Sequence, residues 1–477
     1  MTLSKYVHAI QVEKNIYCLY NSLTSKKAYL NISGGNKKLE FFDHQTVQLL
    51  KKHRFFVQDY RHEQRLIDFL KKERHHDLSQ LYLIVSEVCN FRCEYCRQYC
   101  HGSHQGSSIM SFATAKQMID YFFRQATRPQ GVVFYGGEPM VSPDVILKCV
   151  EYIKLKYKNK INKNFDFTLI TNGTLVNDKW AKALAKHGVY IIISLDGPGP
   201  IHNYFRKYAD GNGTFTDVLR GYKIYKRNKC LVGISCTIGQ HNYNKLDRTL
   251  TYIKNQLKPI NIGMNLPHGD DVNALIKGAD KNHLARIIAQ KLLYYNSHGL
   301  YIEHIMRKLN LVFKEEIKIN DCPACGGRIV ALPDKRVGVC EGAIGMDSFF
   351  DLEFSTNHFK RNIRKKWFLT SPLFNNKCRS CLALGICGGG CPLDGFLKKG
   401  KLDGRDVIRC VLMEDIVSWG LKSFYQFSLR QRFINKRFNI FIPSISMQDK
   451  FLSAMGAKKE KLPLRSSAKY GINKLSL

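Results

Sequence analysis

The chain has 477 residues, 44% of them apolar, which is material for more than one hydrophobic core, and two or three domains are expected. Lys and Arg number 74 against 39 Asp and Glu, a formal charge of +35 that excludes an acidic or acidic disordered chain and leaves room for a polyanionic partner. No apolar run approaches the roughly 20 residues of a membrane-spanning helix, and residues 1–20 have no apolar signal segment, so a soluble, cytoplasmic protein without a membrane partner is expected.

Residues 1–78 read as a small α+β module: 17–20 and 28–32 are predicted strands joined by a Ser-Leu-Thr-Ser turn, and 44–53 and 61–73 are predicted helices. Short apolar runs then follow at 81–85, 132–135, 167–170, 190–194, 232–237 and, less strongly, 260–265. Helix-length segments such as 113–124 and 179–187 separate them. This alternation is the mark of parallel β/α units, whose functional groups collect on the loops after the strands. The expected architecture is α/β: a partial (β/α)6 TIM-type barrel over 79–305, preceded by the α+β module. A cysteine-rich domain follows over 306–421, and residues 422–477 form a basic, aromatic tail.

The 16 cysteines are unevenly spread, with four between 89 and 100 and eight between 322 and 410. A reducing cytosol gives a large protein little reason for disulfides, so metal ligation is the expected use. Cys89, Cys93 and Cys96 can aim three thiolates at one point from a single loop. On a four-iron cubane that leaves one iron open to a small molecule. Cys100 as a fourth ligand, and a zinc loop, are the alternatives. Two Cys₄ sites are implied by Cys322, Cys325, Cys340, Cys378, Cys381, Cys387, Cys391 and Cys410, with paired zinc ribbons as the plainer reading. Cys18, Cys149, Cys230 and Cys236 fit apolar segments as buried thiols.

Three strand ends carry polar groups suited to a charged nucleoside. They are Gly136-Gly137-Glu138-Pro139, then Thr171-Asn172-Gly173, whose donors and acceptors suit ribose hydroxyls, and Ser194-Leu195-Asp196-Gly197-Pro198 with Arg206 downstream. Read singly, each is turn chemistry.

The run Cys89-Asn90-Phe91-Arg92-Cys93-Glu94-Tyr95-Cys96 resembles the signature loop of the radical SAM superfamily. The resemblance implies a [4Fe–4S] cluster on Cys89, Cys93 and Cys96 whose open iron chelates S-adenosyl-L-methionine, with one electron releasing a 5′-deoxyadenosyl radical. Gly136, Gly137 and Glu138 resemble the family's GGEP motif, which faces the methionine amine. By the same resemblance Ser194 and Arg206 would hold the methionine carboxylate, with Arg220 able to substitute.

The second cysteine set resembles the SPASM extension of peptide- and protein-modifying members, which holds two auxiliary [4Fe–4S] clusters. That implies Cys378, Cys381, Cys387 and Cys410 on one cluster, and Cys325, Cys340 and Cys391 on the other. Where relatives place a further cysteine this chain has Ile319, and Cys322 is the available substitute. If Cys322 does not ligate, an open iron is left for a substrate thiolate. Glu341 stands where some relatives carry a general base, and an ordinary solvated glutamate is the alternative.

The resemblance implies a radical SAM oxidoreductase that abstracts hydrogen from a ribosomally made peptide and installs a thioether or carbon–carbon crosslink. Its partners would be a peptide or protein substrate, captured through a leader by the N-terminal module, and a reductant such as flavodoxin or ferredoxin. The alternatives are an anaerobic sulfatase maturase forming formylglycine from Cys or Ser, and a radical enzyme modifying RNA. The interleaved aromatic and basic residues from Phe424 to Arg465 keep the RNA reading open, although no nucleic-acid module is recognisable.

Overall fold

The computed structural model describes residues 2–32, 43–72, 78–96, 108–267, 280–351, 361–434, 438–456 and 469–471. At the N-terminus β1 (Val7–Glu13), β2 (Ile16–Asn21) and β3 (Lys27–Asn31) form an antiparallel meander. Six parallel strands follow: β4 (Gln80–Ser86), β5 (Gly131–Gly136), β6 (Asp166–Thr171), β7 (Tyr190–Ser194), β8 (Val232–Thr237) and β9 (Ile262–Asn265). They pair strictly in sequence order, with Leu81 opposite Val132, Thr168 opposite Tyr190 and Ile234 opposite Ile262. The connecting helices include Phe112–Gln125, Pro143–Lys156, Asp178–Lys186 and Phe215–Arg227.

Burial on both faces explains why these strands read as unbroken apolar runs. All of β4 is buried. Leu81, Leu83 and Val85 pack into the core that includes the helices, while Tyr82 and Ile84 turn the other way, onto Val133 and a second core built with Cys325, Cys340 and Trp367. The sheet continues past the barrel. β10 (Arg328–Ala331) pairs parallel with β4, and β11 (Val337–Gly338) and β12 (Phe350–Asp351) extend it antiparallel. The nine-stranded order is β9-β8-β7-β6-β5-β4-β10-β11-β12.

The chain ends converge on the first sheet. β13 (Ile440–Phe441) adds antiparallel to β3, and Tyr29 on β3 stacks on Phe424 and Tyr425 at 6.1 and 5.9 Å. Lys27, fully buried, donates to Gln448 Oε1 at 2.7 Å. Phe424 and Tyr425 are themselves fully buried, so these two of the tail's aromatics are core residues, while Phe427, Phe433 and Phe438 are half-buried. The helix Val407–Arg430 runs through position 421, and Glu303–Lys314 through 305, where sequence boundaries were placed. A strand at Val7–Glu13 joins the two expected in the N-terminal module. No helix among the described residues is long and apolar enough to cross a membrane.

Candidate active site

The cysteine loop leaves the C-terminal end of β4. Ser86 ties the exit, its Oγ accepting from Val88 N at 3.0 Å. The loop then lies along residues 205–208: Arg92 N donates to Lys207 O at 2.8 Å, Glu94 N to Phe205 O at 3.2 Å, and the Phe91 ring meets Tyr208 edge-on at 5.3 Å. Cys96 N donates to Cys93 O at 3.0 Å, curling the last turn. Cys89 feels the charges of both Cys93 and Cys96, so the three thiols face a shared space. Burial pushes the Cys89 and Cys93 thiols up to about 12. Thiols so buried are poor free nucleophiles. Cys100 lies outside the described residues.

The neighbouring strand ends close on this loop. Gly136 has φ 141°, and a Cβ there would stand 2.2 Å from Ser86 O; one on Gly137 would stand 2.4 Å from Val88 O. Only glycines let β5 approach the backbone leading into the cysteines so closely. Glu138 is fully buried and turned inward. Its Oε1 accepts from Met140 N at 2.9 Å and Thr171 Oγ1 at 2.6 Å, and its Oε2 from Asn172 N at 2.7 Å. Burial lifts its carboxyl to about 7, against these three donors. Glu138 thus laces β5 to β6 with its side chain, leaving the backbone of 136–138 as the outward-facing part of the motif. Asn172 continues the lacing, donating from Nδ2 to Asn90 Oδ1 at 2.8 Å inside the cysteine loop.

After β7, Asp196 forms the densest polar node. Arg206 donates to both of its oxygens, at 2.9 and 3.1 Å, Tyr95 OH at 2.5 Å and Thr237 N at 2.9 Å. His241 Nε2 lies 3.4 Å away. Burial alone would raise the Asp196 carboxyl, but Arg206 and His241 hold it well below the usual carboxylate range. The Arg206 guanidinium lies 5.3 Å from the Tyr95 ring centre and acts on the Cys93 thiol. Burial and Arg206 also push His202 down to about 3, keeping that imidazole neutral. Arg206 is therefore committed to Asp196 and to the underside of the cysteine loop, whereas Ser194, half-buried at the end of β7, is not drawn into the node. Arg220 is remote from it, donating to Thr174 O at 2.9 Å. Sequence reasoning passed over His241, although its place just beyond β8 follows the strand-end rule that picked out the other residues.

The later cysteines sort into two sets by mutual influence. Cys322, Cys325, Cys340 and Cys391 act on one another; a hydrogen bond with Cys325 pulls Cys322 down to about 7. Cys378, Cys381, Cys387 and Cys410 form the other set. In the first set Cys325 and Cys340 are buried and Cys322 and Cys391 half-buried; the second reaches the surface, where Cys410 is exposed. Among the described residues no three His, Cys, Asp or Glu side chains surround a position for a single metal ion. Four thiols per set match the donor chemistry of a polynuclear iron–sulfur group, with Cys410 contributed by the helix Val407–Arg430. Glu341 follows Cys340 directly, and its Oε2 lies 2.7 Å from Arg328 Nη2. Arg328, 4% exposed, also donates to Val339 O at 3.2 Å and stacks over Tyr82 at 4.5 Å. Glu341 is thus held by a buried cation facing the second core.

A profile of the radical SAM superfamily matches residues 83–253. The radical SAM cyclopropyl synthase TigE of Paramaledivibacter caminithermalis is 23% identical over 450 residues, covering 82% of this chain and 89% of that protein. A cysteine-type anaerobic sulfatase-maturating enzyme of Clostridium novyi is 30% identical over 183 residues, 38% of this chain and 48% of that protein. Among solved structures, native anSMEcpe with bound AdoMet superposes with a TM-score of 0.62 at 22% identity, covering 74% of this chain and all of that one. The partial barrel and its cysteine-rich extension therefore share that fold.

Proposed function

With residues 83–253 the chain belongs to the radical SAM superfamily, and we propose that it is a maturase acting on a ribosomally made peptide, abstracting hydrogen and installing a thioether or carbon–carbon crosslink. It is an enzyme that uses a [4Fe–4S] cluster and S-adenosylmethionine. When bound, these supply a primary alkyl radical able to break an unactivated C–H bond. The rest is done by this chain. Cys89, Cys93 and Cys96 hold the cluster, and the backbone of Gly136 and Gly137, with Asn172 and Ser194, lines the cofactor's approach. Glu138 and the Asp196–Arg206 pair keep strand ends and cysteine loop in register, so the reacting atoms meet in one orientation. Glu341, paired with Arg328, accepts the proton lost when a substrate radical is oxidised. The cysteines at 322, 325, 340 and 391, and at 378, 381, 387 and 410, would hold auxiliary clusters, which would supply an electron acceptor. Peptide capture falls to the N-terminal module, and flavodoxin or ferredoxin serves as reductant.

One observation carries this reading: the Cys89–Cys96 loop, stitched to residues 205–208 beneath three polar strand ends. Relatives named a radical SAM cyclopropyl synthase and anaerobic sulfatase-maturating enzymes support the general maturase kind. Co-expression with a short reading frame beside this gene, followed by mass spectrometry, tests it. A loss of two hydrogens per linkage is expected. A formylglycine mass change on a sulfatase peptide would instead select the sulfatase reading. Cys93→Ala should abolish deoxyadenosine formation, and retained turnover would refute the cluster assignment.

A further inference from the structure

We propose that Lys308 tunes the reduction potential of the centre held by Cys378, Cys381, Cys387 and Cys410; this rests on the reading that those thiolates hold a [4Fe–4S] cluster. Lys308 lies on the helix Glu303–Lys314 with its side chain 2% exposed. Its ammonium donates to Ile386 O at 2.9 Å and Cys387 O at 2.6 Å and lies 2.9 Å from Asp321 Oδ1. Arg307 Nη2 donates to Asp321 Oδ2 at 2.9 Å. Two cations therefore meet one carboxylate, leaving a buried positive charge against the backbone of a ligand cysteine, and Lys318 adds its field to Asp321. Beside the other set Arg328 is matched by Glu341 and Arg409 by Asp394, while Arg364 donates to the backbone of Gly326. Glu414, which accepts from Cys381 at 3.5 Å, is exposed, and water screens it.

Adding one electron makes a cluster more negative, and a desolvated ammonium favours that state without any proton moving. The centre beside Lys308 is thereby biased toward accepting the electron that leaves a substrate radical. Asp321 couples the arrangement to the other set, since it precedes Cys322 and its N–H donates to Gly388 O at 2.7 Å.

The test is an electron-paramagnetic-resonance redox titration of the full chain with Cys89, Cys93 and Cys96 replaced by alanine, reconstituted anaerobically with iron quantified. The signal of interest is assigned by its loss in Cys410→Ala. Lys308→Met should lower that centre's midpoint, Asp321→Asn should raise it, and Lys308→Arg should leave it in place. Retained iron with unmoved midpoints, or both charge changes shifting the midpoint in one direction, overturns the inference. If Lys308→Met fails to fold, an upward shift in Asp321→Asn supports the inference and its absence refutes it. If the parent chain takes up no iron, the cluster reading itself fails, and the inference with it.

Discussion

Asp196 is where the third strand end, the cysteine loop and the loop after β8 meet, and its charge is matched by Arg206 inside the protein. Asp196→Asn removes the anion but leaves the buried guanidinium, a change that typically costs about 3–5 kcal/mol. The urea midpoint should fall accordingly, whereas breaking the exposed Arg227–Asp178 pair should hardly move it. Glu138 behaves oppositely with pH. Its carboxyl is raised to about 7 in the folded chain, while the unfolded chain ionises near 4.5, so its protonated form favours folding. Stability from this group is full below about pH 4.5, declines as pH rises toward 7, and is lost above; a shift of this size is worth roughly 3 kcal/mol. Glu138→Gln should flatten the fall of thermal midpoint between pH 5 and 7, and an unchanged slope would contradict the assignment.

The strands of the barrel were readable almost to the residue because a buried parallel strand is apolar on both faces. The expected 190–194 and 232–237 coincide with β7 and β8, and the others grow by a residue or two at their ends or, in β9, shrink. β1 was missed because Val7–Glu13 is half-buried and carries His8, Gln11 and Glu13 among its apolar residues. What the side chains of Glu138 and Arg206 do was not legible, because their partners, Thr171, Asn172 and Asp196, reach them only when separate strand ends align. That alignment depends on the glycines of β5. Gly136→Ala forces a carbon against Ser86 O in a backbone region L residues avoid; it should lower both iron content at the first centre and S-adenosylmethionine binding, with unchanged binding by equilibrium dialysis as the opposing outcome.

On the scale of the whole molecule, the two ends of the chain build one structure. β13 completes the sheet begun by β1, and Lys27 is sealed beneath Gln448 of the helix Ile445–Ala454. Ending the chain after residue 434 strips β3 of its outer partner, β13, and uncovers the Lys27 ammonium, so the thermal midpoint should drop by several degrees. A tail serving only as a cationic arm would leave it unmoved.

The hydrogen bonds between β4 and β10 have an engineering consequence. The strand that launches the first cysteine loop and the strand that leads toward Cys340 are adjacent rungs of a single ladder. Swapping the cysteine-rich half for that of a relative would mean cutting through this ladder, so catalytic specificity in such chimaeras will travel with β10 and its register rather than with any linker.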